Sequence, residues 1–432
     1  MIGCILAPGA HAATELTLDR ALAMARKANR SLVAERARLA QAQANIDLAW
    51  AALFPSVAAQ GKYTRNNMEF KFPLTSGTSS TPGAPPSFLT IQPRNQLDGA
   101  ITFVAPLVAP PAYVALEAVK TSLGSSEADY ESSQATVLYA VAQAFYAAAI
   151  SDEVLATRQS SVEVAAATLR NAETRFASGT VTRVDLDRAQ LALVRAEQAA
   201  REARFGHEQA YRALATLIQL DGEFKVAPLV ADNTTSGAND PNLPNLLSLA
   251  LRLRPEFRSL QLAARTFAAE RRASAWRWSP TLSAFGSARL FNYDNFAQQH
   301  HAWAIGAQLD WVLYDGGARD AQRHVADAQA REAQARADVL ADVIRDDMAN
   351  NQGLLDTKRH AQEAAERQVV LAVETLDLVR TQYEAGNAAQ IDLLQAQDGL
   401  TAAKEALAQA HFEVALADLG FRRALGTFPE KP

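Results

Sequence analysis

Two aspartates, Asp185 and Asp392, occupy matching places in near-copied stretches, TRFASGTVTRVDLDRAQ at 174–190 and TQYEAGNAAQIDLLQAQ at 381–397. Each follows a glycine, Gly179 or Gly386, at the same spacing. A carboxylate just past a glycine corner has two chemical uses. It can cap the next helix, where it also suits the helix dipole. It can also present charge to cations: two such carboxylates ~6 Å apart in water repel by about 0.7 kcal/mol, and by more in a confined space. The glycines end the preceding helices in the left-handed conformation.

Other chemistry is sparse. His300 and His301 fall on an expected loop with no carboxylate or thiol cluster beside them, so they read as surface residues and not as a metal site. There is no phosphate-binding glycine loop, nucleophile elbow or metalloprotease motif. No catalytic residue, cofactor or metal is expected. At 432 residues, with 21% charged and 49% hydrophobic residues, the chain is a folded protein. Its formal net charge of -5 argues against a nucleic-acid partner. The one cysteine, Cys4, excludes a disulfide framework and a cysteine-based zinc site.

Residues 1–12, MIGCILAPGAHA, read as the apolar end of a secretory signal with a small-x-small cleavage site at Ala10, His11 and Ala12. No Lys or Arg precedes Arg20, as if the start were placed too late. A frayed apolar N-terminus and an acylated Cys4 are the alternatives. No window reaches the ~20 apolar residues of a spanning helix, a test that is blind to β-barrels.

The elements that carry the corners follow from proline placement. No proline occurs between Pro111 and Pro228 or between Pro280 and Pro429, and both tracts are rich in Ala, Gln, Glu and Arg. They predict long helices at 112–176 and 318–384, each followed by a corner and a second helix, at 183–218 and 390–424. The first would run roughly 95 Å. Ala-rich spacing of three and four, as in Leu186, Ala189, Leu193 and Ala196, suits close coiled-coil packing.

A second repeat precedes the hairpins: residues 29–61 align with 254–286, placing Pro55 on Pro280 and Gly61 on Gly286. Each copy is a helix that stops at a proline and becomes a strand. Alternation predicts four strands, at about 56–64, 96–107, 281–291 and 302–314, of a length that suits a tilted membrane strand. Tyr63, Phe103, Tyr293, Trp303, Trp311 and Tyr314 cluster toward strand ends as an interfacial girdle would. The chain thus divides into a first repeat at 13–219, a linker at 220–245 expected to be irregular, and a second repeat at 246–432. Four strands cannot close a membrane barrel alone, so closure must come from other chains.

The order of elements, the two prolines, the LYDGG turn at 313–317 and the duplicated corner together resemble the TolC family of outer-membrane efflux channels. The resemblance implies an internally duplicated α+β membrane protein of a Gram-negative outer membrane. It would be a homotrimer whose chains each give four strands to a 12-stranded β-barrel in lipid, with helical hairpins continuing as a hollow α-barrel across the periplasm. A periplasmic adaptor and an inner-membrane pump would dock on it, and the duct would conduct substrates passively. The resemblance places Asp185 and Asp392 at the periplasmic constriction, where three chains would supply six carboxylates. Tyr383 matches a family tyrosine that helps hold the tip closed; its repeat partner, Phe176, lacks the hydroxyl. Gly179, Thr180, Val181, Gly386, Asn387 and Ala388 are the implied adaptor contacts. The family's best-known gate has a basic residue and a second acidic residue where this chain has Ala388 and Gln395, so the resemblance does not carry that gate's salt-bridge lock over to this chain. A soluble periplasmic coiled-coil scaffold is the competing reading. A membrane-fusion adaptor fits less well, because adaptors carry one hairpin and this chain has two.

Overall fold

The computed structural model describes residues 14–74, 87–228, 243–293 and 299–429. The expected signal segment at 1–12 lies outside the described residues, as do parts of the linker and of both strand-connecting loops. In chain order the elements begin with β1 (Thr14–Leu16), α1 (Leu18–Ala28), α2 (Arg30–Ala51), β2 (Ser56–Arg65), β3 (Phe70–Leu74), β4 (Ser87–Gln92) and β5 (Asn95–Val108). They continue with α3 (Pro110–Ala177), α4 (Arg183–Ile218), β6 (Phe224–Val226), α5 (Leu243–Leu253) and α6 (Pro255–Trp276). The last are β7 (Thr281–Phe291), β8 (His301–Asp310), α7 (Ala318–Glu384) and α8 (Gln390–Leu425). The chain forms two compact units, one of Met1–Arg38, Glu127–Ser259 and Ala337–Pro432, the other of Leu39–Ser126 and Leu260–Arg336.

The long helices follow from composition. α3, 68 residues long, opens on Pro110 and Pro111, where the first turn needs no amide donor, and meets no proline after them. In the first unit each repeat closes its own core. Ala21 and Ala25 of α1 pack with Leu138, Val141 and Phe145 of α3 and with Leu214 and Ile218 of α4. The second copy sets Leu246 and Ala250 of α5 against Ile344 and Met348 of α7 and Phe421 and Leu425 of α8.

Each repeat breaks its leading helix once, and the residue at the break does the same work in both. Asn29, buried before α2, donates its side-chain amide to the Leu217 carbonyl at 2.8 Å, and its Oδ1 accepts from the Ser31 and Leu32 amides. Its counterpart Arg254, buried before α6, donates Nε to the Ala424 carbonyl at 2.6 Å, with Asp347 and Glu256 around its remaining nitrogens. Leu217 and Ala424 are the penultimate residues of α4 and α8, whose last carbonyls have no partner within their own helices. Arg254→Ala should therefore destabilise the second repeat by about 2–3 kcal/mol, since it strands a buried carbonyl and removes the cation beside Asp347. Thermal unfolding of the extracted protein followed by circular dichroism measures this, and a change within about 0.5 kcal/mol, as at an ordinary surface site, contradicts it.

The linker is not wholly irregular: β6 within it pairs in parallel with β1, joining Thr14–Leu16 to Phe224–Val226. Beside it, Asp152 accepts from the Tyr211 hydroxyl at 2.8 Å and lies 2.8 Å from His207 Nε2. Burial pushes the Tyr211 phenol up to about 12, with the Asp152 carboxylate adding to the shift.

The second unit holds an antiparallel sheet in the order β2-β5-β7-β8. Its register lines up residues of the same face across all four strands. Val57, Phe103, Gly286 and Ile305 stand side by side, as do Ala59, Ile101, Ala288 and Trp303. This face is apolar and bare, with Trp303 74% and Ile305 79% exposed. The opposite face carries Ser56, Gln60, Lys62, Gln96, Asp98, Thr102, Ser287, Arg289 and Gln308. On that side the Phe285 ring covers Gly306, where a Cβ would stand 2.9 Å from it.

Several expectations are corrected here. The last strand ends at Asp310, not at residue 314, because β7 begins at Thr281, the partner of Asp310, and offers nothing further to pair with. Trp311 instead donates its indole N–H to the Trp278 carbonyl at 3.2 Å. The Asp315 carboxylate accepts from the amides of Gly317 and Arg319, building the LYDGG turn. His301 opens β8 and is not on a loop. The stretch between the first two expected strands contains a further hairpin, β3 with β4. Tyr293 joins the polar face, donating to Asp98 at 3.0 Å and accepting from Gln96 at 3.2 Å, whereas Tyr63, Trp303, Trp311 and Tyr314 are exposed.

Candidate functional site

Both corners belong to the first unit. At the first, α3 ends in a left-handed turn. Gly179 has φ +74°, the Thr180 amide reaches back to the Arg175 carbonyl at 2.9 Å, and Gly179 N–H donates to Phe176 at 3.0 Å. The second repeats this: Gly386 has φ +79°, Asn387 N–H reaches Gln382 at 2.8 Å and Gly386 N–H reaches Tyr383 at 3.1 Å. Only glycine adopts such an angle without cost, which is why both copies keep it.

The aspartates stand three residues into the capping boxes that open the second helices. At the first corner the box is complete. Thr182 receives the Asp185 amide on its hydroxyl at 3.3 Å, and Asp185 Oδ2 accepts from the Thr182 amide at 3.1 Å and hydroxyl at 2.7 Å. At the second corner Ala389 has no side-chain acceptor, so only the return bond exists, from the Ala389 amide to Asp392 Oδ2 at 3.1 Å. The capping use expected of both residues is thus present, with Thr182 as the cap proper. The Thr182 hydroxyl, and then its amide, hold the Asp185 carboxyl below its ordinary value; Arg188, 3.6 Å away, adds a smaller pull. A lowered carboxyl stabilises the fold above its unfolded value, near pH 4, and loses that contribution only as pH falls through the lowered one. At neutral pH Asp185 is charged.

The difference between the corners gives a direct test. Ala389→Thr should complete the second box and slow amide exchange in the first turn of α8, while Thr182→Ala should speed it in α4. Each change corresponds to about 1 kcal/mol. Equal exchange in both variants and the parent contradicts the assignment.

Tyr383 is only 8% exposed, and the Arg175 guanidinium lies over its ring, 4.5 Å from the centroid. Phe176 is exposed at the matching place. Farther from the corners, Gln397 Nε2 donates to Thr168 Oγ1 at 3.2 Å and Arg158 Nη2 to Glu405 at 2.7 Å, stitching α3 to α8. Burial raises the Glu405 carboxyl despite Arg158. Thr180, Asn387, Gly179 and Gly386 are exposed, and Val181 and Ala388 half-buried. Thr182 and Arg175 are the residues that sequence reasoning missed. The first was readable as the Thr-x-x-Asp spacing of a capping box; the second required knowing which faces of α3 and α7 meet.

Comparison with known proteins agrees with this architecture. The chain is 24% identical over 425 residues to the outer membrane efflux protein BepC of Brucella suis, covering 96% of this chain and 86% of that one. It is 28% identical over 433 residues to the pyoverdine export outer membrane protein OpmQ of Pseudomonas aeruginosa, covering 95% and 85%. The solved structure of the Campylobacter jejuni CmeC outer membrane channel superposes with a TM-score of 0.76 at 16% identity, covering 95% of this chain and 85% of that one. Residues 21–223 and 246–427, one span for each repeat, match the family described as outer membrane efflux protein, and the chain belongs to that family.

Proposed function

We propose that three copies of this chain close one 12-stranded barrel in the outer membrane, and that the corners of the helical hairpins form its periplasmic entrance. The observation that carries this is the sheet. β2 and β8 are its unpaired edges, and the bare apolar face bounded by them is suited to lipid. Backbone groups left open in a bilayer each cost several kcal/mol, so the edges need strands from neighbouring copies. The soluble-scaffold reading leaves that face in water.

As an outer membrane efflux protein the chain is an exit duct and not an enzyme; in our reading it passively conducts solute handed on by an inner-membrane pump and its periplasmic adaptor. In our reading Asp185 and Asp392 together place six carboxylates around the entrance, favouring cations and resisting tight closure. Tyr383 holds the corners in their closed arrangement. Gly179, Thr180, Val181, Gly386, Asn387 and Ala388 present the surface that the adaptor grips.

Native mass spectrometry of the detergent-extracted protein tests the assembly. A species of three times the 46.5 kDa chain mass is expected. A monomer released without detergent would overturn the reading.

A further inference from the structure

We propose that Arg175 is a latch between the two corners of a single chain, and that it grips the ring of Tyr383 and not its hydroxyl. This rests on the reading that the corners close the entrance. The guanidinium carbon lies 4.5 Å from the ring centroid, and the ring is buried. Among the described residues the Tyr383 hydroxyl makes no hydrogen bond and Arg175 has no carboxylate at ion-pair distance. The contact is therefore cation on π-face, an interaction that gains strength as its surroundings lose water.

The backbone at both ends shows why this contact couples the corners. The Arg175 carbonyl accepts three hydrogen bonds from the first corner, from the Thr180 amide and the Thr180 and Ser178 hydroxyls, each at 2.9 Å. The Tyr383 carbonyl accepts the Gly386 amide of the second corner at 3.1 Å. Arg175 is thus fixed by one corner and reaches the residue that fixes the other. Any outward movement of the α7/α8 corner relative to the α3/α4 corner must lift the ring off the cation. The Thr168–Gln397 and Arg158–Glu405 contacts lie farther along α3 and α8 and can persist meanwhile. The cation that Ala388 cannot supply from the second corner comes instead from the first.

Single-channel recording of the full-length assembly in planar bilayers tests this. Arg175→Gln and Tyr383→Leu should each raise the open-state population at least about threefold, the order expected for one lost cation–π contact. Their combination should add nothing further within one chain. Tyr383→Phe, which keeps the ring, should match the parent, and Arg175→Lys, which keeps a cation, should fall between parent and Arg175→Gln. The latch is overturned if Arg175→Gln leaves a low-conductance parent unchanged, or if Tyr383→Phe opens the channel as far as Tyr383→Leu. A parent channel that is already wide open and indifferent to added cations overturns both the latch and the closed-entrance reading, whereas the first two results sink the latch alone. Unchanged recovery of assembled protein from outer membranes shows that each variant folds.

Discussion

Ile305→Arg removes the protein from the outer membrane. Ile305 sits at the middle of β8 on the bare apolar face, 79% exposed and in one row with Val57, Phe103 and Gly286. An arginine facing lipid near the bilayer midplane costs about 2–4 kcal/mol, and in the proposed trimer three copies would bring the total to about 6–12 kcal/mol. That is comparable to the whole stability of an ordinary folded protein. Ala304→Lys is the control. Ala304 is the next residue along the strand and points to the opposite face, beside Ser287 and Thr102, where a charge would meet water in the lumen. Fractionation should find the lysine variant in outer membranes at parental levels and the arginine variant degraded or aggregated. If both variants insert equally, the face assigned to lipid is wrong.

Asp185→Asn with Asp392→Asn should widen conduction and weaken block by divalent and trivalent cations by about tenfold or more, equivalent to at least about 1.4 kcal/mol of lost cation affinity. In the proposed trimer six like charges around one aperture would repel one another and attract multivalent cations, and the repulsion would grow as the aperture narrows. Asparagine keeps an oxygen for the amides of Thr182 and Ala389, so the corners retain their shape while the charge goes. Thr182→Ala does the reverse: it weakens the cap and leaves both carboxylates charged. If the aspartates act only as caps, Thr182→Ala should disturb the channel and the double asparagine variant should not. The charge reading requires the opposite order.

These expectations draw on features that differ in how far the sequence exposes them. The helices were legible because Pro-free, Ala-rich tracts have no local competitor, and the corners because Gly179 and Gly386 each need a positive φ. The four sheet strands were legible because lipid demands strict alternation. β1 and β6 were not, being three residues each and paired across roughly 200 positions, a separation that local pattern cannot bridge. The β3–β4 hairpin was hidden by the Pro, Gly and Ser content around it. Asn29 and Arg254 fall at aligned places in the repeat, yet their types differ; the shared task, holding a helix-end carbonyl, appears only in three dimensions. The Arg175–Tyr383 contact depends on the rotational register of two long helices, which Ala-rich faces leave undetermined.

The most direct test of the whole account is the sidedness of cation block in the parent protein. Reconstituted in one orientation in a planar bilayer, the assembly should conduct cations preferentially and be blocked by low concentrations of a trivalent cation added on the periplasmic side. The same addition on the outer side should do far less. Block that is equal from both sides, or absent altogether, would contradict an entrance lined by Asp185 and Asp392.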